Sequence, residues 1–353
     1  MIREALLYEP LSDSRVRCKA CARYCNIPEG KIGLCGVRQN IGGRLQLLVY
    51  GKVISGHIDP IEKKPVTHFM PGSKIFSIAT TGCNWLCSYC QNFDISQRRK
   101  VEGTDMMPPE VAAMAKGYGC QGLAYTYNQP TIFMEFARDV GVEARKNGLI
   151  NIFVSNGYDT PDTVGMMNDF LDCITIDFKG NAATDFVRKY IGIANAEPIF
   201  QTILEIKNKT KVHMEFTDLV IPQVGDRLDE ARKLSRWLYD NLGPDFPIHF
   251  LRFHPDYKMM NLPSTPVKTL EDHCRIAREE GLQYVYVGNV PGHPWEHTYC
   301  PECNCIAIKR YGFDITGWNL DENNRCASCG HQLPIVGELS SSVSEERFLP
   351  VIN

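Results

Sequence analysis

The stretch "KIFSIATTGCNWLCSYCQNFDIS", Lys74 to Ser96, runs from an apolar segment suited to a buried strand straight into three cysteines, Cys83, Cys87 and Cys90. A metal centre needs its ligands close together, and Gly82 can bend the chain into such a loop. Three thiolates are one short of the four that close a zinc cage or complete a ferredoxin-type iron–sulfur centre. A cubane held this way keeps one iron open to an outside ligand. The alternative is a zinc site whose fourth ligand, a cysteine or histidine, lies far off in sequence.

Outward from this loop, residues 75 to 290 repeat strand, loop and helix. Apolar runs suited to buried strands are "KIFSIAT" (74–80), "GLAYTY" (122–127), "NIFVSN" (151–156), "CITIDF" (173–178), "VHMEFTDLVI" (212–221), "IHFLRF" (248–253) and "YVYVG" (284–288). Helical signals lie between them. "PPEVAAMAKGYG" opens on prolines and ends at glycine. Ile132, Phe133, Phe136 and Val140 share one face, as do Ala231, Leu234, Leu238 and Leu242. Thr269 is placed to cap "TLEDHCRIAREEG", with Asp272 three residues on. Strands alternating with helices imply a parallel sheet covered by helices. Six or seven such units suggest an α/β fold closed into a full or partial (β/α) barrel, with ligands at the carboxyl ends of the strands. The cysteine loop directly follows the first strand, where a site belongs. The expected organisation is a cysteine-rich N-terminal extension (1–74), a barrel core (75–294), and a zinc-ribbon-like module with a loosely docked tail (295–353).

The bulk properties fit a globular protein. Of 353 residues, 44% are hydrophobic and 22% charged, and the formal net charge of -3 gives no global footprint for nucleic acid. The N-terminus lacks the layout of a signal peptide, and no run of about 18 apolar residues suggests a membrane span. A cytoplasmic location is the expectation. The fifteen cysteines are clustered, with four in 18–35, three in 83–90 and five in 300–329. Short Cys-x2-Cys spacings without a secretory signal favour metal sites over disulfides.

Cys300, Cys303, Cys326 and Cys329 pair as two knuckles of a zinc ribbon, each turn aiming two thiolates at one point. A structural zinc is expected there, with a rubredoxin-like iron as the alternative, and Cys305 is given no role. Cys18, Cys21, Cys25 and Cys35 suit either a zinc ion or an auxiliary iron–sulfur cluster; free or disulfide-linked thiols are the third option. Cys120, Cys173 and Cys274 read as small buried hydrophobes. The basic pair in "IEKKP" (61–65) reads as a solvated face. His57, His68, His249, His293 and His297 show no ligand spacing.

Cys-x3-Cys-x2-Cys after a first strand, with Tyr89 before the last cysteine, resembles the signature of radical S-adenosylmethionine enzymes. Further stretches resemble the glycyl-radical activating branch. "TYNQP" (126–130) occupies the place of that branch's Thr-Gly-Gly-Glu-Pro, with Asn128 and Gln129 replacing Gly and Glu; Gln keeps a carbonyl acceptor and loses the charge. "SNGY" (155–158), "DFK" (177–179), "LVIPQVGD" and "LRFHP" resemble its later strand-end motifs. Longer phrases, among them "IPEGKIGLCGVRQN", "YGKVISGHIDPIEKKPVTHFMPGSKIFSIAT" and "AYTYNQPTIF", resemble the radical enzymes of the AmmeMemoRadiSam system across nearly the whole chain.

The resemblance implies a [4Fe-4S] cluster on Cys83, Cys87 and Cys90 with S-adenosylmethionine on its open iron. Thr126, Tyr127, Asn128, Gln129, Ser155, Asn156, Asp177, Lys179 and His254 would hold that cofactor. Lys179 and His254 are also candidate catalytic residues. It implies a 5'-deoxyadenosyl radical that takes hydrogen from a protein, another macromolecule or a metabolite. The implied partners are a ferredoxin or flavodoxin donor and proteins of the Memo and AMMECR types. A glycyl-radical activase is one alternative. A non-catalytic zinc-binding scaffold is an alternative of another class.

Overall fold

The computed structural model describes residues 1–98, 100–340 and 348–352. A nine-stranded sheet organises it, formed by β1 (Ser55–Pro60), β2 (Lys74–Ala79), β3 (Gly122–Tyr125), β4 (Ile150–Ser155), β5 (Cys173–Lys179), β6 (His213–Val220), β7 (Ile248–Arg252), β8 (Val285–Gly288) and β9 (Leu349–Ile352). The spatial order is β8-β7-β6-β5-β4-β3-β2-β1-β9. Strands β2 to β8 all run parallel to one another. β1 is antiparallel to β2, and β9 is antiparallel to β1. Six crossovers carry helices α1 (Pro108–Gly117), α2 (Met134–Lys146), α3 (Pro161–Met167), α4 (Glu197–Lys209), α5 (Leu228–Leu242) and α6 (Val267–Glu279). This is a partial (β/α) barrel of the expected α/β class. β2 is buried along its whole length, because a parallel strand is covered on both faces.

Three sequence expectations change in the fold. α6 begins at Val267 behind Pro266, so Thr269 lies inside the helix, where its carbonyl meets His273 Nδ1 at 2.7 Å. The preset φ of Pro266 starts the chain toward the helix three residues earlier than a cap at Thr269 would. The tail docks: Leu349–Ile352 pairs with β1, and Ile352 packs against Gly56; residues 341–347 and 353 of that tail lie outside the described residues. The basic pair is not a solvated face. Lys64 is 2% exposed and meets Asp59 Oδ2 at 2.6 Å, while Lys63 meets Asp59 Oδ1 at 2.7 Å. A fully buried carboxylate recruits both ammoniums, since leaving it unpaired would be costly.

The N-terminal ends of the strands are closed by the connection between β1 and β2. Ile61, Val66 and Phe69 pack against Ile75, Ala124, Ile152 and Cys173. At this floor the buried Glu215 carboxylate accepts from the Thr67 and His68 backbone N–H groups and faces His249 Nε2 at 3.0 Å. His68 Nε2 lies 2.6 Å from the Tyr286 hydroxyl, and burial pushes its pKa down to about 3, so the ring is neutral. Closing one end in this way leaves the opposite end, where the strands terminate, for chemistry.

Candidate functional site

At the carboxyl end of β2 the chain turns through Gly82 (φ +93°) into the cysteine loop. Neighbouring backbone donors surround Cys83 Sγ, from Trp85, Gln129 and Asn84. Cys90 Sγ sits 3.1 Å from Ser96 Oγ. The Tyr89 side chain is buried beside Cys87. Burial raises all three thiols, and repulsion from neighbouring cysteines adds to it at Cys83 and Cys87; Cys83 is pushed up to about 11. A bound metal reverses this, because a coordinated thiol is deprotonated.

The expected strand-end residues converge on this loop to different degrees. Asn128 Nδ2 donates to the Thr80 carbonyl (2.6 Å) and to the Gly82 carbonyl (2.7 Å), fastening the entry of the loop to the end of β3. Asn156 Nδ2 donates to Asn84 Oδ1 at 2.8 Å, so β4 grips the loop as well. Gln129 is buried, and its Oε1 accepts from the Asn156 backbone N–H at 2.7 Å. Its Nε2 faces Ser155 Oγ (2.8 Å), Thr131 Oγ1 (2.7 Å) and Asp159 Oδ1 (3.2 Å). Gln129 therefore ties the ends of β3 and β4 together. Tyr127 holds a left-handed backbone (φ +66°), donates its hydroxyl to Asp59 Oδ2 (2.7 Å) and lies under the Lys64 ammonium. Thr126 is buried and donates its backbone N–H to the Ile78 carbonyl at 3.0 Å.

From β5, Lys179 Nζ lies 3.1 Å from Asp177 Oδ2, and its charge acts on both Cys87 and Cys90. Asp177 also accepts from the Thr217 hydroxyl. His254 is different: its side chain is 78% exposed and, among the described residues, lies 3.4 Å from Asp256. Cys300, Cys303, Cys326 and Cys329 bring their sulfurs within 4.8 Å of one another, a set that could hold a metal ion. Cys18, Cys21, Cys25 and Cys35 line one cavity that reaches Asn84 of the loop.

Sequence reasoning missed Asn84, Asp59, Lys64 and Asp159. Asp159 is buried against Gln129, Thr131 and Ser155, and desolvation pushes its carboxyl up to about 6. The sequence signals were slight: the Asp in "SGHIDP" ends a strand, and Asp159 stands one residue past "SNGY".

Among the described residues no helix is long and apolar enough to cross a membrane. Residues 77–235 match the Radical SAM superfamily model. An uncharacterized protein of Methanocaldococcus jannaschii is 44% identical over 338 residues, covering 95% of this chain and 100% of that one. Similar solved structures include a domain of pyruvate-formate lyase-activating enzyme from Bacteroides vulgatus, with TM-score 0.41, 16% identity, and coverage of 48% of this chain and 99% of that chain. A radical SAM methyltransferase from Sphaerobacter thermophilus has TM-score 0.49 and 14% identity, covering 62% of this chain and 66% of that chain. With the family match spanning β3 to β6 and the cysteine loop that follows β2, the chain belongs to the radical SAM superfamily.

Proposed function

We propose that Cys83, Cys87 and Cys90 hold a [4Fe-4S] cluster whose open iron takes S-adenosylmethionine, and that the protein uses the resulting radical on a substrate of its own. When bound, the cluster supplies one electron that splits the sulfonium into methionine and a 5'-deoxyadenosyl radical, which removes hydrogen from the substrate. The observation that carries this reading is the three-thiol loop at the carboxyl end of β2 within a chain of this superfamily.

The donor set fits both groups. Three thiols serve the cluster and leave one position open. Asn128 Oδ1 and Asn84 Nδ2 are buried polar atoms without a hydrogen-bond partner among the described residues, as a site shaped for a polar ligand would leave them. Thr126, Tyr127 and Asn128 present the end of β3 to the ligand, while Gln129, Ser155 and Asn156 keep that wall rigid. Lys179 supplies a cation that acts on Cys87 and Cys90, suited to a carboxylate or to the net negative charge of a thiolate-bound cluster; Asp177 orients it. His254 stands at the exposed rim, where it can meet substrate. Burial of Tyr89 and Trp85 excludes water from the centre.

The order of strand-end motifs supports a protein substrate, as for a glycyl-radical activase. The long phrases shared with the AmmeMemoRadiSam enzymes support Memo-type and AMMECR-type partners, with a ferredoxin or flavodoxin as reductant in the cytoplasm. The four ribbon thiols suit a structural zinc.

Anaerobically reconstituted protein given reductant and S-adenosylmethionine is expected to release 5'-deoxyadenosine. Cys87→Ala is expected to lose that product while retaining its thermal midpoint. Undiminished 5'-deoxyadenosine from the variant would overturn the assignment.

A further inference from the structure

We infer that Cys18, Cys21, Cys25 and Cys35 hold a second iron–sulfur cluster, placed directly against the cysteine loop, and not a zinc ion. A zinc–thiolate bond of about 2.3 Å sets tetrahedral sulfurs about 3.8 Å apart. The ribbon thiols already show that geometry, with Cys300 and Cys329 sulfurs 3.6 Å apart and those of Cys303 and Cys326 3.7 Å apart. They form a four-thiol group within 4.8 Å. Among the described residues, no three of the N-terminal thiols fall within that span, and neither do Cys83, Cys87 and Cys90. The N-terminal set instead lines one cavity, together with Arg38 and Asn84. Four thiolates spread around a void match a multi-iron core, whereas a single ion would draw them into contact.

The cavity is apolar apart from its ends. At one end Arg38 is 1% exposed and forks onto Glu135 at 3.0 Å and 2.5 Å. This anchors the cysteine segment to α2 and puts a cation beside a site that becomes anionic when four thiolates ligate. At the other end is Asn84, next to Cys83. The two loops touch elsewhere too. A Cβ on Gly82 would come 2.3 Å from the Cys35 carbonyl oxygen, so only glycine allows this approach. Arg23 Nε donates to the Asn84 carbonyl at 3.0 Å. The residues flanking Cys83 on both sides therefore contact the N-terminal thiol segment.

Such a neighbour can pass electrons. One electron from a low-potential donor of ferredoxin or flavodoxin class reduces the N-terminal cluster; the same electron moves to the centre on Cys83, Cys87 and Cys90, and the N-terminal cluster returns to its oxidised state. This passage rests on the radical reading above, whereas the site itself does not.

The test uses the full chain carrying Cys83→Ala, Cys87→Ala and Cys90→Ala together, prepared anaerobically and analysed for iron, acid-labile sulfide, zinc and reduced-state electron paramagnetic resonance. Retained iron and sulfide, with a cluster signal indifferent to S-adenosylmethionine, is the expected result. Zinc in place of iron, or a folded variant without either at this site, overturns the inference. Should the triple variant not fold, the unmodified protein decides: about eight irons per chain support two clusters, and about four overturn the second. With both clusters reduced, the unmodified protein should show a spin-coupled, broadened signal that the triple variant lacks. Failure of the radical reading looks different: the unmodified protein would keep its iron yet show no response to S-adenosylmethionine.

Discussion

Asp159 is the residue whose chemistry is least like its sequence neighbours. Gln129 stands uncharged in the stretch that resembles a Thr-Gly-Gly-Glu-Pro motif, and a buried carboxyl sits one hydrogen bond behind it. Desolvation pushes Asp159 up to about 6, against donation from Thr131, Gln129 and Ser155, which lowers it. A carboxyl raised in the folded state makes the native protein bind more protons than the unfolded chain between its two pKa values. Its stabilising contribution is therefore full below about 4 and is lost as pH rises through about 6, on the order of 2–3 kcal/mol in all. Asp159→Asn should remove that dependence, so its stability relative to the parent protein should improve from pH 5 to pH 8. Denaturant unfolding at several pH values measures this. An offset that is constant across the range would mean that Asp159 is already charged in the fold at pH 5.

At the scale of elements, the C-terminal module has four thiols that could hold a metal ion and only a small apolar core. Its hairpin, Ile306–Tyr311 with Asp314–Trp318, buries Ala307 and Ile308 against Cys300, Leu320 and the Tyr284 and Tyr286 side chains at β8. This small cluster is thin support for a module whose Cys303 and Cys329 thiols are exposed. Metal binding to such a site is folding free energy. Stripping the ribbon metal with a chelator should abolish hydrogen-exchange protection in the hairpin while β3, β4 and β5 stay protected. Unchanged hairpin protection, with metal loss verified by mass, would show that the apolar contacts suffice. The strands were readable as apolar runs because both faces of a parallel sheet are buried. α3 carried a weaker signal: it has only seven residues and a glycine.

At the scale of the molecule, the barrel is closed below and open above. The segment from Ile61 to Met70 crosses the floor, and the ribbon locks it there: Arg310 donates to the Thr67 carbonyl at 3.2 Å and to Thr298 Oγ1 at 2.7 Å. Glu215 is the centre of this closure, fully buried and held far below the usual carboxylate range by His213 and His249 against the cost of burial. Removing one partner of a buried charged network leaves the rest uncompensated, at about 3–5 kcal/mol. Glu215→Ala should lower the thermal midpoint and open the Thr67 region to limited proteolysis, with iron on the upper centre retained. A variant with the parent melting temperature and cleavage pattern would show that the floor is held by its apolar contacts alone.

Periodicity and cysteine spacing in the sequence alone sufficed for the alternating α/β architecture, the three cysteine groups and the place of the Cys83, Cys87 and Cys90 group at a strand end. Those are local properties: burial on both faces makes a strand apolar, and ligands from one loop must be close in sequence. The sequence did not reveal that Asp59 buries Lys64, that Asp159 backs Gln129, that His254 faces solvent, that Leu349–Ile352 joins the sheet, or that Gly82 meets Cys35. Each of these pairs or exposes residues distant along the chain, so it depends on which surfaces the folded sheet brings into contact, and a linear pattern carries no record of that.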